Sequence, residues 1–480
     1  VDAQRGIARR MVVGLPPAGI DRGWERDFTM YAPAGVILFR RDFRDLEDLR
    51  RLTRRLRELT RPRRLFITMD EEGGFVSQLG DLLVVPPSAL VLGRGGQPGD
   101  AEWAARVTGQ RLRGLGVDWV FAPVADIHSR PANPVIGPRA FGSDPTEVAR
   151  CVAEQVRGFQ AAGVACTLKH FPGHGDTERD SHHELPRCEA SRETLAAREL
   201  VPFRGALEAE AVMTAHVVYP ALDPDRPGTF SPAVCGGLLR GQLGYAGVCI
   251  TDALEMKGAA EGRAAYEIAR AALEAGCDLL LFAFHDEAVR QARYQLARAL
   301  TEGSLPRVGF DEARPRLLAL DRRIAEPSAE ELAAPLESLT PAGWEPRLGA
   351  IVERAIRWAG ALPAEAGAGP WRVNEPPWPY GESLADFIHG QGIPRSGIEG
   401  GGALEVAAIA SRVPLPAGEM ERLRQGCATR PTVVIAFQND AFLAELPEAA
   451  LRVSAPDPTP LTRRVVARQL VQRARQAAGV

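Results

Sequence analysis

Residues 164–186 read VACTLKHFPGHGDTERDSHHELP. The opening segment, Val164 to Leu168, is apolar and leans toward extended structure. It runs without a break into Pro172, Gly173 and Gly175, which end any regular element. Lys169 and His170 therefore stand at the carboxyl end of a strand, with a loop behind them. The stretch also holds four of the chain's eight histidines and one of its two lysines. Almost every other cation is arginine, so Lys169 marks a place where a compact, flexible ammonium serves and a planar guanidinium does not.

Working outward, seven more short apolar runs end in turn signals: Met11 to Leu15, Gly35 to Phe39, Leu65 to Met69, Trp119 to Pro123, Ala211 to Ala215, Val248 to Thr251 and Asp278 to Phe282. Stretches of helical period separate most of them, among them Leu46 to Leu59, Ala101 to Leu115, Thr146 to Ala162, Arg192 to Ala209 and Arg263 to Ala275. Strand and helix alternating eight times predict an α/β fold, a (β/α)8 TIM-type barrel. An open doubly wound sheet would call for a GxGxxG after an early strand, and the chain has none.

A barrel collects its chemistry at the carboxyl ends of its strands. Asp70 follows the third strand, Asp126 and His128 the fourth, Lys169 and His170 the fifth, His216 the sixth and Asp252 the seventh. Any one of these could be a helix cap or a solvated loop residue; five strand ends together are harder to explain that way. The barrel is expected to fill residues 1–325. An Ala-, Glu- and Pro-rich linker over 326–346 follows, then a smaller α/β, αβα sandwich-like domain over 347–480. Its apolar runs are Leu404 to Ala410, Thr432 to Phe437 and Leu451 to Ala455, with helical stretches at Gly418 to Gln425 and Leu461 to Ala477. Residues 361–402, rich in Pro and Gly, are expected to be irregular.

Composition excludes several classes. With 480 residues, 45% of them hydrophobic, the chain can bury a large core. A net charge of −3, with arginines interleaved among acids, argues against nucleic acid as a partner. No run approaches the ~20 apolar residues of a membrane span. Seven cysteines without a CxxC pair read as small core residues of a reducing, cytoplasmic compartment. The start at Val1 shows no secretory pattern and is compatible with a leader removed upstream. Oligomeric state, monomer or dimer, is left open by the sequence.

Asp252, after the strand VCIT, would present a carboxylate across the barrel mouth from a rigid position, which suits a nucleophile that attacks a sugar's anomeric carbon; capping the next helix is the alternative use. Asp180 and His182 lie two apart on the glycine-rich loop, so in an extended segment they share a side, and the carboxylate can tune the imidazole as a general acid and then base. A solvated polar loop is the competing reading. The histidines and acids of this loop also invite zinc, a weaker reading because glycines and prolines leave the ligands unplaced. Lys169 as a Schiff-base lysine is a third option, which gives Asp252 no task.

The stretch KHFPGHGDTERDSHHELP, together with DEEGG (70–74), NPVIGPRAFGSDP (133–145), MTAHVVYPALD (213–223) and ITDALEM (250–256), resembles glycoside hydrolase family 3, in its β-N-acetylglucosaminidase branch. The likeness covers most of residues 1–320. It implies a retaining hydrolase that removes terminal β-linked N-acetylglucosamine, often from cell-wall (peptidoglycan) muropeptide fragments, with a small amino-sugar as partner and with neither metal nor cofactor. By motif position Asp252 matches the nucleophile and His182 with Asp180 the histidine acid/base. Asp70, Arg139, Lys169 and His170 match residues that grip sugar hydroxyls, and His216 and Met256 line the pocket. Three positions depart from the family pattern: Glu71 for glutamine, Phe75 for arginine and Ala253 for aspartate. A phosphorylase with the same two-step chemistry, and a barrel that binds amino-sugars without turnover, are the competing functions.

Overall fold

The structure is a computed structural model that describes residues 2–180, 185–260, 262–367, 370–395 and 404–479. Each of the eight apolar runs forms a strand: Met11–Val13 (β1), Gly35–Ile37 (β2), Phe66–Met69 (β3), Trp119–Val120 (β4), Ala165–Phe171 (β5), Ala211–Thr214 (β6), Val248–Ala253 (β7) and Leu279–Phe282 (β8). They pair in parallel in chain order, and β8 closes onto β1 with Val12 opposite Leu281. The expected closed barrel is therefore present. β5 is longer than expected: it carries Lys169 and His170 inside the strand, and its register against β6 shifts between Leu168 and Phe171.

Period-2 alternation fills the barrel. Val248 and Ile250 of β7 meet Ala211 and Met213 of β6 and Leu279 and Leu281 of β8. Phe66, Trp119 and Phe121 stack edge to face, and the indole N–H of the fully buried Trp119 donates to Thr167 Oγ1 at 2.7 Å. Burying such side chains contributes about 1.5–3 kcal/mol each, provided the polar tip finds a partner.

The surrounding helices start where the sequence supplies caps. Asp45 accepts from Asp48 N–H ahead of Leu46–Thr60, and Asp144 caps Pro145–Ala161. The stretch 192–209, expected as one helix, is broken into Arg192–Thr194, a wide π turn Leu195–Glu199 and Val201–Arg204. Pro202 has no N–H to continue the ladder.

The chain divides into two compact units. The first holds residues 1–72, 99–129 and 143–341; the second holds 73–98, 130–142 and 342–480. The boundary is thus not a single linker at 326–346. Most of that stretch, through Pro341, stays with the barrel, where Arg113 pairs with Glu331 of the helix Ala329–Ala333 and Arg111 donates to the Leu339 carbonyl.

The second unit has a five-stranded sheet: Arg357–Gly360 (β9), Trp371–Asn374 (β10), Leu404–Ser411 (β11), Thr432–Gln438 (β12) and Leu451–Ala455 (β13), ordered β9-β13-β12-β11-β10 with only β9 antiparallel. Helices Ala417–Thr429 and Pro460–Ala478 occupy the expected stretches. β10 and the helix Leu384–Gly390 lie in the part expected to be irregular. Buried Trp371 and buried Leu384 and Ile388 supply the anchors there, too few for a periodic signal.

Candidate active site

The carboxyl ends of β3, β5 and β7 bring the expected strand-end residues together. Lys169 Nζ lies 2.6 Å from Asp70 Oδ1 and 2.7 Å from Glu72 Oε1, with its side chain only 3% exposed. Two carboxylates offset the cost of taking one ammonium out of water, and they aim it. Next along β5, His170 Nδ1 is 2.7 Å from Asp126 Oδ2, and the His170 backbone N–H points at the same carboxylate. Asp126 also accepts the His174 N–H at 2.7 Å. Burial alone would raise the Asp126 carboxyl; the two histidines and these donors hold it below its ordinary value.

The ring orientation imposed by Asp126 turns His170 Nε2 toward Asp252, 4.0 Å from Oδ2. Asp252 is 19% exposed, and among the described residues it accepts one hydrogen bond, from the Ala253 N–H at 2.7 Å. Burial would raise its carboxyl, but attraction to His170 and His216, the Ala253 N–H and Lys169 outweigh it and keep the group below the ordinary aspartate range. The result is an ionised carboxylate whose Oδ2 faces the His170 ring and, among the described residues, has no donor fixed on it, which leaves it able to attack an electrophile.

His216 supports this strand end from β6. Its Nε2 donates to the Ala253 carbonyl at 3.0 Å, and Nδ1 lies 2.8 Å from Thr229 Oγ1, which in turn meets Thr214 Oγ1 at 2.9 Å. The ring stacks on Phe230. Met256 sits in the turn after β7, its N–H bonded to the Ala253 carbonyl.

The base of the glycine-rich loop is tightly seated. A Cβ on Gly175 would lie 1.6 Å from the Ile127 carbonyl oxygen, so only glycine fits. Tyr219 OH donates to the Gly173 carbonyl, and Arg198 ties Asp176 to Glu199, both at 2.6 Å. Asp180, half-buried, ends the described part of the loop; His182 lies outside the described residues. Arg139 closes the short turn Gly137–Arg139 of the second unit, donating to the Val135 carbonyl at 3.2 Å.

A closed parallel barrel with this acid and lysine arrangement at one end matches a known family. The glycosyl hydrolase family 3 N-terminal domain covers residues 20–320. The chain belongs to glycosyl hydrolase family 3. It is a glycoside hydrolase by that membership. A beta-hexosaminidase of Alkalilimnicola ehrlichii is 43% identical over 263 residues, 53% of this chain and 75% of the relative. The structure of a family 3 beta-N-acetylglucosaminidase from Paenibacillus is 30% identical, with a TM-score of 0.86 over 98% of this chain and 96% of that one. NagZ from Neisseria gonorrhoeae, solved with N-trifluoroacetyl-D-glucosamine, is 29% identical, with a TM-score of 0.58 over 72% and 98%.

The departures from the family 3 pattern have local accounts. Phe75 lies under the Arg412 guanidinium, 4.6 Å from ring centre to Cζ. Glu71 is buried and opposes the burial that pulls Arg111 down to about 10. Ala253 packs against the barrel core while its backbone serves both Asp252 and His216. The sequence places Asp126 at a strand end with no sign of its task, and Glu72 carries no signal of its own in the sequence. Their pairing with β5 residues 44 and 97 positions away exists only once the barrel closes.

Proposed function

We propose that this family 3 hydrolase is a retaining exo-β-N-acetylglucosaminidase that acts on terminal β-linked N-acetylglucosamine, with peptidoglycan (muropeptide) fragments as the natural source. Asp252 attacks the anomeric carbon; as that bond forms, the glycosidic bond breaks and its electron pair leaves with the aglycone oxygen, which takes a proton from His182. Asp180 steadies the imidazolium character of His182. In the second step His182 accepts a proton from water, the water oxygen bonds to the anomeric carbon, and Asp252 departs as carboxylate. Asp70, Lys169 and His170 bind hydroxyls of the sugar, and His216 and Met256 line its pocket. Neither a metal nor a cofactor enters these steps.

The observation that carries this reading is the Asp252 carboxylate, held below its ordinary value despite burial and facing His170 Nε2 at 4.0 Å. The names of the similar beta-hexosaminidases and of the Paenibacillus beta-N-acetylglucosaminidase support the choice of sugar. The test follows hydrolysis of an aryl β-N-acetylglucosaminide by NMR, with and without phosphate. The β-anomer of N-acetylglucosamine is expected first, and His182→Ala should slow an activated aryl substrate far less than an unactivated disaccharide. An α-anomer as first product would sink the retaining mechanism, and a sugar 1-phosphate formed whenever phosphate is present would make the enzyme a phosphorylase.

A further inference from the structure

Three thiols converge on the face of β7 opposite to Val248 and Ile250, which fill the barrel. Cys249 lies on β7, Cys277 two residues before β8, and Cys235 on the π-helical stretch Ala233–Gln242. All three are fully buried, and their sulfurs lie within 4.8 Å of one another. Cys235 Sγ and Cys277 Sγ are 3.9 Å apart. A cation held about 2.3 Å from each of three coplanar sulfurs sets those sulfurs about 4.0 Å apart. The Cys235–Cys277 pair matches that spacing, and the other two pairs lie within 4.8 Å, close enough for one ion to reach all three sulfurs.

Charge around the cluster fits as well. Arg240 and Arg316 both pair with the buried Asp278 carboxylate, at 2.7 and 2.8 Å, and that carboxylate also accepts the Cys249 N–H. Arg10 donates to the carbonyls of Asp278 and Cys277. Three guanidiniums against one carboxylate leave positive charge beside the sulfurs, the sign that offsets a tris-thiolate holding a monovalent cation. Among the described residues no histidine or carboxylate joins the group. The other polar atoms against the sulfurs are the carbonyls of Gly228 and Thr229. Zinc wants a fourth strong ligand and a tetrahedron; a dry, three-sulfur site suits a soft, three-coordinate d10 ion.

We propose that Cys235, Cys249 and Cys277 form a trigonal site for a single Cu(I) ion, separate from catalysis. Each thiol that binds as thiolate releases its proton to solvent, and copper keeps its oxidation state, so no electron moves.

The test loads the full, reduced chain anaerobically with Cu(I) supplied as its acetonitrile complex, in competition with a chromophoric Cu(I) chelator, and records the copper K-edge fine structure. The expected result is about one copper per folded chain, with three sulfur ligands at about 2.3 Å. Cys249→Ser should retain it about 100-fold more weakly, whereas Cys427→Ser, in the second unit, should match the wild type. If Cys249→Ser fails to fold, Cys235→Ala is read in its place, and the wild-type fine structure decides independently. Copper left wholly with the chelator, a shell containing nitrogen or oxygen, equal retention in the Cys249 or Cys235 variant, or a preference for Zn(II) would each overturn the assignment.

Discussion

Two carboxylates near the ends of parallel strands, the half-buried Asp252 in the barrel and the buried Asp457 in the second unit, are held in opposite ways. Asp457 is fully buried and accepts four donors: the N–H groups of Ser88 and Thr459 and the hydroxyls of Thr459 and Thr462. It ties the loop after β13 to the start of the helix Pro460–Ala478. Among the described residues Asp252 accepts a single N–H and otherwise faces His170 across 4.0 Å. A carboxylate whose lone pairs are all engaged is a structural fastener; one kept ionised by nearby fields, with an oxygen left unengaged, is poised to react.

Substitutions separate the two kinds of acid. Asp252→Asn should lower kcat by about 10⁴-fold or more with the fold intact, since an amide cannot act as nucleophile. Residual turnover near the wild-type rate, measured on freshly purified protein to exclude contamination, would erase the distinction. Asp126→Asn sharpens it from the barrel side. Loss of the charge that orients His170 should cost about 10²–10³-fold in kcat/KM, seen by steady-state kinetics on an aryl substrate.

Asp457→Ala should leave kcat per folded molecule unchanged and lower stability by about 2–4 kcal/mol in urea titrations, because buried donors lose their acceptor. A rate effect larger than the stability effect would contradict its structural role. The smallest effect concerns Glu199, a third buried acid, under the loop base. Burial raises it to about 7, with Arg198 opposing and Asp126 and Asp176 adding to the shift. Because the folded protein binds this proton more tightly than the unfolded chain, stability falls as pH rises from about 4.5 to about 7. Glu199→Gln should remove that fall, so its stability relative to the wild type should grow by about 2 kcal/mol between pH 5 and pH 8. Parallel pH profiles for the two proteins would show that Glu199 ionises freely.

The barrel was legible because each strand is a short apolar run stopped by a polar or glycine-rich signal, and because five of those stops carry groups of catalytic type. Asp70, Lys169, His170 and Asp252 could be read from such stops. The partners that orient them could not: Asp126 and Glu72 acquire their tasks through closure of the barrel, which brings distant strand ends side by side. Chain order was equally silent on why 73–98 and 130–142 join the second unit, since that depends on which surfaces pack. β10 escaped notice because a four-residue strand with one buried tryptophan has too little alternation to stand out in a Pro- and Gly-rich stretch.

The direct trial of Asp252 as the attacking group is mass spectrometry of the protein after reaction with a slow, mechanism-based amino-sugar such as a fluorinated N-acetylglucosaminyl fluoride. One sugar adduct should appear per chain, and peptide mapping should place it on Asp252. An adduct on any other residue would contradict the account.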